Sequence, residues 1–212
     1  MSDFNRVEGV ATPLPISNLD TDQIMPKQFL LGTDKSGLAK GLLYDLRFAP
    51  DGTPRTDCLL NTPDYANTRI IVGGQNFGCG SSREHAVWGL QQFGVEAVIA
   101  SSYGEIFYYN AANNRLLAIV LAQDEVDEIT EEVSNPASNR LTIDVANQVV
   151  RTASGRSYAF KMEPRQRRMY LEGLDVIGAS LQMLPEIEAF ERDHWARNPW
   201  ARVLPLPVSG GV

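Results

Sequence analysis

Residues 76–86 read Asn76-Phe77-Gly78-Cys79-Gly80-Ser81-Ser82-Arg83-Glu84-His85-Ala86, a glycine-rich run that ends in two hydroxyls and a cation. Upstream, Arg69-Ile70-Ile71-Val72 is a short β-branched run bounded by glycine, which predicts a buried strand. Gly73, Gly74, Gly78 and Gly80 then permit close backbone approach. Downstream the apolar spacing changes to a period of 3.6. Ala86, Leu90 and Phe93 share one helical face, Val87 and Trp88 widen it, and Gly94 falls where a C-cap glycine ends a helix. The stretch is therefore a turn feeding a helix, with Ser81 or Ser82 expected as the N-cap. Unpaired backbone N–H groups, the positive end of the helix dipole and the Arg83 guanidinium together suit a carboxylate or phosphate. An ordinary capped helix with a solvated Arg83 fits the same letters. The two glycines flanking Cys79 argue against that plainer reading, because a cap needs no such close approach. The spacing matches neither dinucleotide- nor nucleotide-binding glycine fingerprints, and there is no nucleophile elbow.

Outward from this stretch the pattern alternates. Val95–Ala100 reads as a strand, 104–113 as a helix and Leu116–Leu121 as another strand, an order that predicts parallel strands joined by right-handed crossovers. Residues 124–134 form an acidic amphipathic helix with Val126, Ile129 and Val133 inward. Its carboxylates show no metal-ligand spacing with His or Cys and are read as a solvated face. Three short strands, 141–145, 148–151 and 157–160, predict an antiparallel meander. On the N-terminal side, residues 6–16 read as a strand ending at Pro13 and Pro15. Asn18-Leu19-Asp20-Thr21-Asp22-Gln23 follows as a polar turn of the kind aspartate favours. Residues 28–48 begin apolar and turn polar with two nearby glycines, which reads as a mobile loop, and 49–68 is a proline-marked connector. Beyond Pro164 the chain becomes helical. The expected organisation is an α/β domain over 1–163 with helices packed on mixed sheets, C-terminal helices over 164–197 packed on that domain, and a loose tail over 198–212. Arg165, Arg167 and Arg168 read as solvated helix surface or as a partner contact, and His194 as structural or exposed.

Composition excludes several classes. The 212 residues carry a net charge of −7 with no basic stripe, which argues against nucleic acid as a partner. No apolar run of 18 residues occurs, and the first residues lack the pattern of a signal peptide, so a membrane partner is not expected and a cytoplasmic location is. Two cysteines, Cys58 and Cys79, do not make a disulfide scaffold. A serine hydrolase is disfavoured because His85 and His194 are the only histidine bases and neither has an evident orienting acid.

Three strings, NLDTDQIMPKQFL, NFGCGSSREHA and GLDVIGASLQ, together resemble the small subunits of bacterial isopropylmalate isomerase, with the shorter GSSREHA shared across the aconitase superfamily. The resemblance spans residues 5–190. It implies the swivelling β/β/α domain of the aconitase type with mixed sheets, and a hydro-lyase that moves a hydroxyl through an alkene in leucine biosynthesis. It also implies an iron-sulfur cluster (4Fe-4S) held by three thiolates. Two cysteines cannot supply these, so no metal or cofactor is expected on this chain, and the cluster is expected on a large cluster-bearing subunit. The implied substrate is a small dicarboxylate.

The resemblance also distributes roles. Ser81 becomes the catalytic base, acting as an alkoxide favoured by the helix N-terminus and Arg83. Ser82 and Arg83 are expected to hold a substrate carboxylate, Asp22 and His85 to stand behind them as support, and Asp20 to be structural. In the superfamily the loop after the acidic turn selects the substrate side group. Here no arginine occurs between Arg6 and Arg47, and Phe29, Leu30 and Leu31 form an apolar wall, which favours an alkyl group over a third carboxylate. Lys27, Lys35 and Lys40 keep a third carboxylate open; a related hydratase of citraconate and citramalate or of homoaconitate is the runner-up, and a non-catalytic anion-binding module is the reading from another class.

Overall fold

The computed structural model describes residues 5–30, 36–80 and 83–202. Ser81, Ser82 and Leu31 lie outside the described residues, as does the tail from 203 onward.

One seven-stranded sheet carries the fold, in the order β4-β3-β2-β1-β5-β6-β7. Its parallel half consists of β1 (Arg6–Leu14), β2 (Thr68–Gly73), β3 (Ala97–Ala100) and β4 (Leu117–Val120). Its antiparallel half is the meander β5 (Arg140–Asp144), β6 (Val149–Thr152) and β7 (Ser157–Ala159), joined to the rest through β1. The mixed strands thus belong to one sheet rather than several. β1 serves both halves by pairing with β2 along its C-terminal part and β5 along its N-terminal part, with a register shift at Val10/Ala11.

The strands' period of two divides the core. Ile70, Val72, Ala97 and Ile99 face one side and meet Val126, Ile129 and Val133 of α5 (Gln123–Val133). Ile71, Val98 and Ala100 face the other. They meet Ala86, Val87 and Leu90 of α3 (Glu84–Phe93) and Phe107 and Ala111 of α4 (Glu105–Asn113). Gly94 ends α3 with φ +111, as the glycine C-cap requires.

Three expectations change. The acidic turn is a one-turn helix, α1 (Thr21–Ile24), which buries Thr21 and Ile24. The described part of 28–48 is anchored rather than mobile: 3-10 turns at Lys27–Phe29 and Leu38–Lys40 lead to α2 (Tyr44–Arg47), and Leu38, Leu42 and Leu43 are buried in the α3 side of the core. Burial of these leucines supplies what the polar, glycine-containing composition concealed. Finally, Glu132 of α5 is 9% exposed and belongs to a hydrogen-bonded cluster rather than to a solvated face.

The chain divides into compact units at 175/176. The first includes α6 (Pro164–Glu172), which buries Met169 and Tyr170. On α6, Arg167 donates to the Ala146 carbonyl and Arg168 pairs with Glu172. The second contains α7 (Val176–Leu181) and α8 (Leu184–Arg197), where the His194 ring stacks on Phe190. No helix among the described residues is long and apolar enough to cross a membrane.

Candidate active site

The glycine-rich loop leaves the carboxyl end of β2 and is clamped from both sides by backbone hydrogen bonds. Asn18 donates to Gln75 O at 2.8 Å, Gly78 to Leu19 O at 2.8 Å, and Thr21 to Cys79 O at 2.9 Å. On the other flank Phe77 donates to Ser102 O at 3.0 Å and Gly104 to Phe77 O at 2.9 Å. The loop is thus held between the segment after β1 and the segment after β3, at the carboxyl edge where parallel sheets bind ligands. Gly78 lies at φ +71, a region costly for other residues. At Gly104 a Cβ would stand 2.5 Å from the Gly78 carbonyl oxygen, so only glycine lets the two segments meet. Two asparagines, to which the sequence alone assigns no role, complete the turn. Asn18 and Asn76 both take left-handed backbone, and the Asn76 amide donates to Asn18 Oδ1 at 2.8 Å. Asparagine's tolerance of that conformation was the available signal.

Asp20 caps α1. Its Oδ1 accepts the Gln23 N–H at 2.7 Å while Gln23 Oε1 accepts the Asp20 N–H at 3.1 Å, a reciprocal capping box. This cap fixes α1 and so directs Asp22 from its first turn toward α3. There the Arg83 guanidinium pairs with the Asp22 carboxylate. The residue that begins α3 is Arg83 rather than a serine; its backbone is extended (φ −99, ψ 108) and its side chain makes no capping bond. The arginine instead spans to α1, with its side chain 21% exposed.

His85 is half-buried against the Trp88 indole, ring centroids 4.7 Å apart. Leu30 follows the Lys27–Phe29 turn, donates its N–H to Lys27 O at 3.1 Å and packs against the α3 side of the core. Beyond residue 35 the chain is tied to α3 itself, the Leu38 N–H donating to Gln92 Oε1 at 2.9 Å. The structure therefore brings together Asp22, Arg83 and the glycine loop, and anchors Leu30 and Leu38 on either side of residues 31–35.

The Cys79 thiol donates to Asn18 O at 3.2 Å. Among the described residues no three His, Cys, Asp or Glu side chains form a metal site, and the whole chain has two cysteines, so its own residues do not fit a cluster held by three thiolates.

A model of the aconitase C-terminal domain matches residues 1–124, which places the chain in the class of aconitase-type swivelling domains. Within that class the relatives are more specific. A 3-isopropylmalate dehydratase small subunit 1 from Chromobacterium violaceum is 58% identical over 95% of each chain, and one from Mannheimia succiniciproducens is 44% identical over 96% of this chain and all of that one. The crystal structure of 3-isopropylmalate dehydratase (LeuD) from Methanocaldococcus jannaschii is 26% identical, with a TM-score of 0.63 over 88% of this chain and 99% of that one. The chain belongs to the family of 3-isopropylmalate dehydratase small subunits, hydro-lyase components of leucine biosynthesis.

Proposed function

We propose that this chain, docked on a larger subunit, interconverts 2-isopropylmalate and 3-isopropylmalate in the cytoplasm, with Ser81 as the base. The observation that carries the reading is the Arg83–Asp22 pair, which holds a cation at the start of α3 immediately after the clamped glycine loop. Arg83 and Ser82 grip one substrate carboxylate, the guanidinium offering two parallel N–H donors. Asp22 fixes the angle of Arg83 and does not touch the substrate. His85 supports the first turn of α3 through its contact with Trp88.

Ser81 removes the proton from the carbon next to the one bearing the hydroxyl. The hydroxyl departs with a proton as water, leaving an alkene, and water returns to the other carbon. An alkoxide here is favoured by the α3 N-terminus, about 0.3–1 kcal/mol for an exposed site and up to about 2 kcal/mol in a shielded one, and by the adjacent Arg83. The Lewis acidity that such a reaction uses would come from a 4Fe-4S cluster held by the larger subunit, not by residues of this chain.

The test is reconstitution with a cluster-bearing large subunit. Isomerisation should need both chains, and Ser81→Ala should lower kcat about 100- to 10,000-fold while the subunits still co-purify. Turnover of Ser81→Ala near wild type would remove Ser81 from the role. An active assembly that ignores isopropylmalate would remove the substrate.

A further inference from the structure

Asn114 closes α4, and its side chain and carbonyl make four hydrogen bonds there, three of them to α3. Its Nδ2 donates to Glu84 Oε1 at 2.6 Å and to Asn110 O at 2.9 Å, its Oδ1 accepts the Trp88 indole N–H at 2.9 Å, and its carbonyl accepts the Gln91 amide at 2.6 Å. Both amide hydrogens and both oxygens are thus engaged. The three partners on α3 lie at its first, fifth and eighth residues, so one side chain and its carbonyl grip that helix from the first turn to the last.

The Glu84 contact has a particular electrostatic meaning. Glu84 is the first residue of α3 and the neighbour of Arg83. An anionic substrate needs the positive potential at the start of α3, and a Glu84 carboxylate free to swing into it would both repel that substrate and compete for Arg83. Two carboxylates, Asp22 and Glu84, adjoin one guanidinium in sequence or space. Arg83 pairs with Asp22, and Glu84 is bonded to the Asn114 amide.

We propose that Asn114 is a positioning residue for the anion site: it retains the Glu84 carboxylate against α4, leaving Arg83 and the α3 N-terminus open to the substrate. This rests on the reading of Arg83 as the carboxylate grip. Glu84 keeps its favourable interaction with the helix dipole, and the neutral amide satisfies its oxygen without adding a cation that would trap substrate.

The experiment is a double-mutant cycle in the assembled enzyme, with Asn114→Ala and Glu84→Gln singly and together, reading kcat and KM for 3-isopropylmalate. Asn114→Ala should raise KM at least threefold with kcat within about twofold, because a released Glu84 opposes substrate binding. In the Glu84→Gln background the same change should raise KM by less than half that factor, since the competing charge is gone. A purely structural role predicts an equal penalty in both backgrounds, and that result, or a smaller rise in the first, overturns the proposal. If Asn114→Ala does not fold, Asn114→Asp has the same shape and sets two carboxylates together; its KM rise should exceed threefold and be relieved by Glu84→Gln, and failure of that relief overturns the proposal equally. The wild-type assembly is the control for the underlying reading, because an assembly with no isomerase activity indicts the proposed function rather than Asn114.

Discussion

The Arg83 guanidinium and the Asp22 carboxylate form an ion pair that joins the start of α3 to the first turn of α1. The side chains are 21% and 42% exposed, so the pair contributes little to stability, within about 1 kcal/mol after solvent screening. Its consequence is directional. Without Asp22 the arginine has many rotamers, and ordering it would be charged to substrate binding.

Asp22→Asn keeps the shape and removes the charge. KM for the substrate should rise about three- to tenfold, in line with a weakened charge-assisted hydrogen bond, while kcat changes less than twofold. Steady-state kinetics of the variant with the wild-type large subunit provide the check. A lower KM would mean that Asp22 competes with the substrate carboxylate instead of aiming its partner.

The parts of the site that were legible in the sequence are those whose causes are local. β2, the glycine turn and α3 follow from a change of apolar period and from Gly94, and Asp20 is readable as a turn former because aspartate favours such turns. A four-residue helix such as α1 is too short to show a period, so only its cap could have revealed it. The N-cap of α3 was misplaced because serine is the better capping residue, whereas Arg83 occupies the position and engages Asp22, which is far off in sequence. Leu38, Leu42 and Leu43 were hidden by glycine and lysine neighbours, and their burial depends on α3, which arrives much later in the chain. Asn114 had no local signature at all, since each of its partners on α3 is more than twenty residues away.

Glu132 illustrates the same limit and leads to a pH prediction. Its oxygens accept the Ser154 N–H and hydroxyl, each at 2.8 Å, and Arg156 approaches to 3.5 Å. Burial opposes its ionisation, but the bonds from Ser154 and Thr152 and the charge of Arg156 outweigh that cost and hold the carboxyl below its ordinary value. A depressed carboxyl stabilises the fold above the unfolded-state value, about 4.3, and that contribution is lost as pH falls through the folded-state value. Glu132→Gln should therefore cost about 1–2 kcal/mol near pH 7, with the gap to wild type narrowing below about pH 4. Urea unfolding of both proteins at the two pH values measures this; a gap that widens in acid would show that the carboxylate is not the stabilising form.

We propose that Phe29 and Leu30, with Leu31 next to them in the sequence, set the choice of substrate side group. Phe29 packs on the Tyr44 ring, centroids 5.0 Å apart, and Leu30 on the core beneath it. No arginine occurs across residues 7–46, and in the proposed function Arg83 is taken up by one carboxylate. An isopropyl group against these side chains gains about 0.8 kcal/mol per methylene-sized group, so its two methyls contribute on the order of 1.6 kcal/mol, or roughly tenfold. A carboxylate in the same place would lose its hydration without gaining a partner. Leu31→Arg should accordingly lower kcat/KM for isopropylmalate and raise it for a tricarboxylate such as homoaconitate. Both constants are to be measured for wild type and variant with the same large subunit. If their ratio moves less than about twofold, this segment does not select the side group and the pocket wall is built from other residues.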